Sequence, residues 1–162
     1  MSDVSWGQSA LPTVRRLLLA LLSFGMAATG IDLLLLEHFE EPLMVAPLAL
    51  VGVGLLVVGW HVARPSAANV RVLQAVMALF VVAGGVGVVL HYRGNMGFQL
   101  DMNPDIGNWD LFSRVMRAKA PPALAPGAMA QLGLLGLIYA FRHPAAVART
   151  SKSSKSLSSS GA

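Results

Sequence analysis

Residues 93–122 read RGNMGFQLDMNPDIGNWDLFSRVMRAKAPP and form the only long polar segment between the apolar runs of this chain. Nearly all the rest of the chain is apolar. Any binding or catalytic site is therefore expected in this segment or in contact with it. Within it, residues 108–119 predict a short helix. Asn108 is a good N-cap, and no proline follows before Pro121.

At about 100° per residue, this short helix has one apolar and one polar face. The apolar face carries Trp109, Leu111, Phe112, Val115 and Met116, and the polar face carries Asp110, Ser113, Arg114 and Arg117. A helix of this kind suits the membrane interface, with its apolar face in the acyl boundary. The alternative is that the apolar face packs on the ends of the spans. In either arrangement the helix would cover the outer ends of the spans, and we call it the lid.

The composition is that of a membrane protein. Of 162 residues, 55% are hydrophobic and 12% are charged, whereas a soluble domain has about 25% charged residues. The lack of cysteine excludes disulfides, thiolate metal sites and cysteine nucleophiles. The basic residues lie beside the apolar runs and in the C-terminal tail, so they indicate topology and anionic lipid rather than nucleic acid.

Four apolar runs predict an all-α integral membrane protein, with four transmembrane helices in an up-down-up-down bundle. Residues 14–143 would form this domain, with spans at residues 17–36, 43–60, 72–90 and 123–141. Residues 1–13 are predicted to be a cytoplasmic leader, residues 91–122 an outer loop, and residues 144–162 a disordered Ser/Lys tail.

The basic residues also predict the orientation. Of the 12 Lys and Arg residues, eight flank one side of the predicted spans and four flank the other. The positive-inside rule therefore predicts a protein of the cytoplasmic (inner) membrane, with both termini in the cytoplasm and residues 91–122 outside.

Small residues on every run predict close packing, because helices in lipid gain little from hydrophobicity itself. They are Gly25, Ala28 and Thr29 on the first run, Gly52 and Gly59 on the second, Ala83 and Gly87 on the third, and Ala130, Gly133 and Gly136 on the fourth. They indicate a tight bundle, or a bundle with one face docked on another subunit.

Asp32 is the one carboxylate inside an apolar run. An ionisable group inside a membrane span usually faces protein or a water-filled cavity. One interpretation is a proton or cation relay, or a ligand contact, with His91 or Arg93 as its partner. The other is a structural pair between the first and third helices. Gln131 and Gln74 would line a polar path with Asp32, or would hydrogen-bond across helices.

Carboxylates and imidazoles gather at the predicted outer surface. Glu37, His38 and Glu41 with His91 are a ligand set for a divalent metal such as Zn, Fe or Mn. The alternative is an acidic turn that is only solvated at the headgroup surface.

The four histidines also fall into two pairs. His38 and His91 lie at the outer ends of the first and third spans, and His61 and His143 at the inner ends of the second and fourth. Two histidines on diagonally opposite helices of a bundle could be the axial ligands of haem b. The alternative is that all four are ordinary interfacial residues.

The sequence shows no recognisable catalytic arrangement. The first functional prediction is therefore a small non-catalytic multi-pass membrane protein. It would be an accessory or assembly subunit of a membrane complex, or a small homo-oligomer. The alternative is a small transporter or a metal- or haem-binding redox protein that uses Asp32 and the outer His/Glu cluster.

Overall fold

The computed structural model describes residues 3–37, 42–119 and 121–146. The main helices are α1 (Asp3–Leu35), α2 (Pro42–Ala63), α3 (Ala67–Met102), α4 (Asn108–Met116) and α5 (Ala125–Ala140). Three of them, α1, α2 and α3, contain apolar segments long enough to cross a membrane. The fourth apolar helix, α5, has 16 residues. The described chain is therefore all-helical, with helices suited to a membrane bundle.

The four apolar helices pack as a ring. α1 contacts α2 and α5, and α3 contacts the same two helices. In the described part of the chain, α1 and α3 therefore lie across the ring from each other, as do α2 and α5. The middle of the ring is filled by fully buried apolar side chains: Leu22, Met26, Leu73, Met77 and Phe80. The short helix α4 packs on α3.

Glycines allow α3 and α5 to approach closely. A Cβ at Gly84 would lie 2.6 Å from the backbone N of Ala130, and one at Gly133 would lie 2.6 Å from the carbonyl O of Met77. Both obstacles are backbone atoms, which cannot rotate away as a side chain can. Glycine at these two positions is therefore what permits the backbones to meet.

The predicted small-residue faces are only partly the packed ones. Gly25, Gly87, Gly133 and Gly136 lie in helix contacts, as predicted. Gly52 and Gly59 have no such contact within 4 Å, and α2 instead packs through Gly54, whose Cβ would lie 2.9 Å from Met26 Sδ. The seven-residue spacing places Gly52 and Gly59 on one face of α2. It does not say whether that face points inward.

α3 continues beyond the predicted span. The apolar run ends at Leu90, but the helix reaches Met102, which adds about 18 Å at the ~1.5 Å rise per residue of an α-helix. Hydropathy marks where lipid would end, whereas a helix ends where its backbone is interrupted. Here the interruption is Asn103, whose backbone angles are not helical (φ −150°, ψ 89°). Pro104 follows it and disfavours helical geometry at Asn103.

α4 is shorter than predicted and has a different cap. It spans Asn108–Met116 rather than residues 108–119, and its N-cap is Gly107, without a side-chain cap hydrogen bond. Asn108 is the first helical residue. At the other end, the backbone N–H of Arg117 donates to the Ser113 carbonyl at 3.2 Å.

The turn between α2 and α3 is held by local hydrogen bonds. Ser66 is the N-cap of α3 and accepts a hydrogen bond from the Asn69 backbone N–H at 3.2 Å. The buried Asn69 side chain donates to the Arg64 carbonyl at 2.6 Å. These bonds satisfy backbone groups at a helix start and keep the connection short.

Some predictions fall outside the described residues. They concern the first two residues of the predicted leader, the predicted ligands His38 and Glu41, and most of the C-terminal tail (residues 147–162).

Candidate functional site

Four polar side chains meet where α2 and α5 end, and we call them the Tyr139 cluster: Arg15, His61, Tyr139 and His143. The Tyr139 hydroxyl lies 2.9 Å from Nε2 of His61 and 3.4 Å from Nε2 of His143. The two imidazole rings touch edge to face, with centroids 4.9 Å apart. His61 is only 2% exposed, so this is a buried polar group that needs its hydrogen bonds.

A backbone contact fixes the direction of this hydrogen-bond chain. The N–H of Ala145 donates to Nδ1 of His143 at 3.3 Å, so a neutral His143 carries its proton on Nε2 and donates it to the Tyr139 hydroxyl. The hydroxyl proton is then free to be donated to Nε2 of His61. Nδ1 of His61 is buried and has no hydrogen-bond partner.

Arg15 caps the C-terminal end of α5. Its guanidinium donates to the carbonyl oxygens of Tyr139 at 2.9 Å, Phe141 at 3.1 Å and Arg142 at 3.3 Å. The last carbonyls of a helix lack partners within the helix, and a cation there also meets the negative end of the helix dipole. Arg142 follows with φ of 44°, a left-handed conformation that ends the helix.

The surroundings keep His143 neutral. Burial, followed by the nearby His61 and Arg15, lowers the pKa of His143 below its ordinary value. The fully buried residues in the middle of the ring, such as Leu73 and Leu22, are apolar. The Tyr139 cluster is therefore suited to fastening helix ends together.

A second feature lies where α1 ends and α5 begins. A cavity of about 610 Å³ is lined by residues of α1, α2, α3 and α5 and of the segment that precedes α5. We call it the helix-end cavity. Its wall is mainly apolar, with Leu33 from α1 and Met129 from α5, and its polar lining residues are Thr29, His91, Asn95 and Lys119.

The predicted polar residues of the spans are not brought together into one path. Asp32 is exposed on α1, and Gln131 is exposed on α5. Arg93 is also exposed, and it lies on α3, across the ring from Asp32. Gln74 is half-buried and donates to the Ala140 carbonyl at 3.4 Å, a bond between α3 and α5.

The predicted metal and haem ligands are placed only in part. Glu37 is exposed, with φ of 51°, beyond the end of α1, and His91 lines the helix-end cavity. Within residues 3–37, 42–119 and 121–146, no group of three or more His, Cys, Asp or Glu residues is placed to hold a metal ion. The pair His61 and His143 does come together, with both Nε2 atoms directed at Tyr139. The metal set and the haem pairs stay predictions.

The lid residues divide between two environments. Val115 is fully buried on α4, which packs on α3, and its carbonyl accepts a hydrogen bond from Asn95 at 3.5 Å. Met116 is half-buried. Trp109 is 76% exposed and stacks on Phe112 with centroids 5.7 Å apart. The polar lid residues Arg114 and Arg117 are exposed.

Sequence reasoning missed the roles of Tyr139 and Arg15. Tyr139 lies four residues before His143, a spacing that places both on one side of a helical turn, and this signal was available. The role of Arg15 was not readable, because Arg15 and Arg16 are equivalent in charge and hydropathy. Only the structure distinguishes them, since Arg16 is exposed.

No protein-family model, no curated protein and no solved structure matches this chain. Three of the described helices are long and apolar enough to cross a membrane, which indicates a helical membrane protein. A more specific function has to be argued from the residues.

Proposed function

We propose that this chain is a small non-catalytic multi-pass membrane protein with four spans, working as an accessory or assembly subunit or as a homo-oligomer. α5 is proposed as the fourth span, although its 16 residues rise only about 24 Å against a hydrocarbon core of about 30 Å. A bilayer can thin by a few ångströms around a short helix at modest cost. The contacts of α5 with both α1 and α3 support this assignment.

The proposed topology is up-down-up-down, with both termini on the cytoplasmic side of the inner membrane. The distribution of basic residues supports it. Protease added to intact cells should cut near Asp101 and leave the Ser-rich tail untouched. The opposite pattern would contradict the orientation and leave the fold unaffected.

The main observation in favour of a protein partner is the position of Asp32. It lies inside an apolar helix, yet it is exposed on the outside of the ring, beside exposed apolar neighbours such as Ile31 and Leu34. A carboxylate facing lipid at that depth is costly, and such groups normally face protein or water. A second protein surface with a hydrogen-bond donor would remove this cost.

Other outward-facing residues support the same proposal. Gln131, in the middle of α5, is exposed, and an amide there gains from a hydrogen bond across helices. Gly52 and Gly59 on α2 have open space where a Cβ would be. Such sites let another helix backbone approach closely.

The proposed role of α4 is an amphipathic interfacial helix that adds to the contact surface. Its exposed aromatic residues, Trp109 and Phe112, are of the kind enriched at membrane interfaces and at the centres of protein interfaces. Arg114 and Arg117 are available for headgroups or for an acidic partner.

The test is mass spectrometry of what co-purifies with the tagged protein from native membranes in a mild detergent. The variant Asp32→Leu should reduce recovery of the partner, or of the homo-oligomer, by about 10-fold, the effect of losing one hydrogen bond to a charged group. Ile31→Leu is the matched control, because it changes the neighbouring exposed residue and keeps its polarity.

Each outcome bears on the proposal. A stoichiometric partner, or a homo-oligomer, that is lost in Asp32→Leu and kept in Ile31→Leu supports it. Recovery of a monomer alone, with both variants behaving as wild type, contradicts it. If Asp32→Leu fails to accumulate in the membrane, the milder Asp32→Asn takes its place in the same comparison.

The alternative is a small transporter or a metal- or haem-binding redox protein. The helix-end cavity favours it, because His91 lines a space large enough for a ligand. Metal analysis of the wild type beside His38→Ala and His91→Ala tests the metal form, and a Soret band in haem-replete membranes tests the haem form. A metal that is lost in both variants would replace the subunit proposal.

A further inference from the structure

We infer that the helix-end cavity binds a single-chain amphiphile with an anionic head group, taken up from the surrounding bilayer. This goes beyond the proposed function, because it requires no partner protein. It rests on the shape of the cavity, the polarity of its wall and the charge at one end.

The cavity extends along α3. Its lining runs along α3 from Ala83 to Asn95, about 18 Å at the ~1.5 Å rise per residue of a helix. About one turn further along α3, Phe80 is fully buried, as is Met26 on α1. Its volume of about 610 Å³ lies within the range of about 300–1,000 Å³ for small-molecule sites.

The wall suits a hydrocarbon chain. Leu33, Leu90, Leu124 and Met129 line it, together with prolines and small residues. An apolar space of this size gains little from water, which needs several polar partners to be held. Because the chain comes from lipid, it gains little from hydrophobicity itself, and it is held instead by van der Waals contact with this wall.

The polar lining residues select the head group. Lys119 and His91 are the ionisable residues among the described lining, which contains no carboxylate. Asn95 also lines this end, on the turn of α3 that follows His91. A carboxylate or phosphate head would therefore meet the Lys119 cation, while its chain extends toward Ala83. A charge-assisted hydrogen bond to Lys119 would fix this orientation.

The experiment uses the full chain in a neutral detergent and a long-chain fatty acid with a photoreactive group near the end of its chain. Irradiation and peptide mass spectrometry locate the label. We expect it on peptides that contain Leu33, Ala83 or Met129, because the chain extends toward Ala83. An excess of unlabelled fatty acid should displace it, and a fatty alcohol of equal length should compete about 10-fold less well, because it lacks the charge.

Variants separate the cavity from the outer surface of the helices. Ala83→Phe fills the cavity and should abolish specific labelling. Ala78→Phe, the same change at an exposed position of α3, should leave it unchanged. Lys119→Gln should weaken competition by the fatty acid about 10-fold and bring it to the level of the alcohol, whereas Arg117→Gln should not.

The contrary results are equally clear. Label spread over outward residues such as Leu79 and Val82, or equal labelling of the two phenylalanine variants, would overturn the site. Equal competition by acid and alcohol would overturn the anionic head group. If Ala83→Phe fails to fold, as judged by circular dichroism, Thr29→Phe tests the same space from the opposite wall on α1.

Discussion

The sharpest test of this fold compares two adjacent glycines on α3. We predict that Gly84→Ala destabilises the folded protein, whereas Gly85→Ala does not. A Cβ at Gly84 would lie 2.6 Å from the Ala130 backbone N and 2.7 Å from the Pro126 carbonyl O, where ordinary contact begins at 3.4 Å. A Cβ at Gly85 meets nothing within 4 Å.

The difference between the two variants isolates the steric effect. Both replace a glycine in the middle of the same helix by alanine, so both gain the same helix propensity of about 1 kcal/mol. That gain cancels in the comparison. What remains is the overpacking at Gly84, where backbone atoms must move, and such insertions cost about 1–3 kcal/mol. Gly84→Ala should therefore be less stable than Gly85→Ala by about that amount.

The assay is unfolding of the purified protein in mixed micelles by an increasing fraction of SDS, followed by circular dichroism at the helix band. The two free energies of unfolding are compared under identical conditions. Equal values, or a lower value for Gly85→Ala, would refute the close approach of α3 and α5. A lower helix content of Gly84→Ala before any SDS is added would agree with the prediction in its strongest form.

Three further predictions concern the Tyr139 cluster, each measured by the same unfolding assay. Arg15→Gln should lower the free energy of unfolding by about 1.5–3 kcal/mol, because its hydrogen bonds to the end of α5 are lost. Arg16→Gln makes the same charge change and should have little effect. Equal effects of the two variants would mean that charge alone matters. Tyr139→Phe should cost about 1–3 kcal/mol by leaving imidazole nitrogens unpaired, with Tyr92→Phe as a nearly silent control. The pKa of His143 is lowered in the folded protein, so below its ordinary pKa of about 6.5 the unfolded chain binds more protons and the free energy of unfolding falls as the pH drops. Above that pH the contribution of His143 to the free energy of unfolding is constant. His143→Gln should reduce the slope below a pH of about 6.5, and an unchanged slope would contradict the assignment.

The described structure explains why some sequence predictions succeeded. Long apolar runs predict membrane helices because removing a helix of apolar side chains from water is favourable whatever its neighbours are. The presence of α1, α2 and α3 followed from this argument. Gly133 and Gly136 were predicted as contact residues for a similar reason, because close approach of two backbones depends on the absence of a side chain.

Other features were not readable because they depend on which way a helix face points. In a soluble protein, polar residues mark the outside of a helix and so reveal its orientation. In a helix bathed in lipid, both faces are apolar, and that signal is lost. This is why the sequence leaves open whether Gly52 and Gly59 face the bundle or another subunit, and why it pairs Asp32 with a helix on the far side of the ring.

The sequence by itself determined the class of this protein, a helical membrane protein, because transfer of apolar side chains from water is a property of each segment alone. The tertiary structure decided how those segments meet. It extended α3 to Met102, since only the backbone break at Asn103 and Pro104 ends that helix. It joined Arg15, His61, Tyr139 and His143, and it opened the helix-end cavity. These features come from residues far apart in the chain, and their distances are set by how the helices pack.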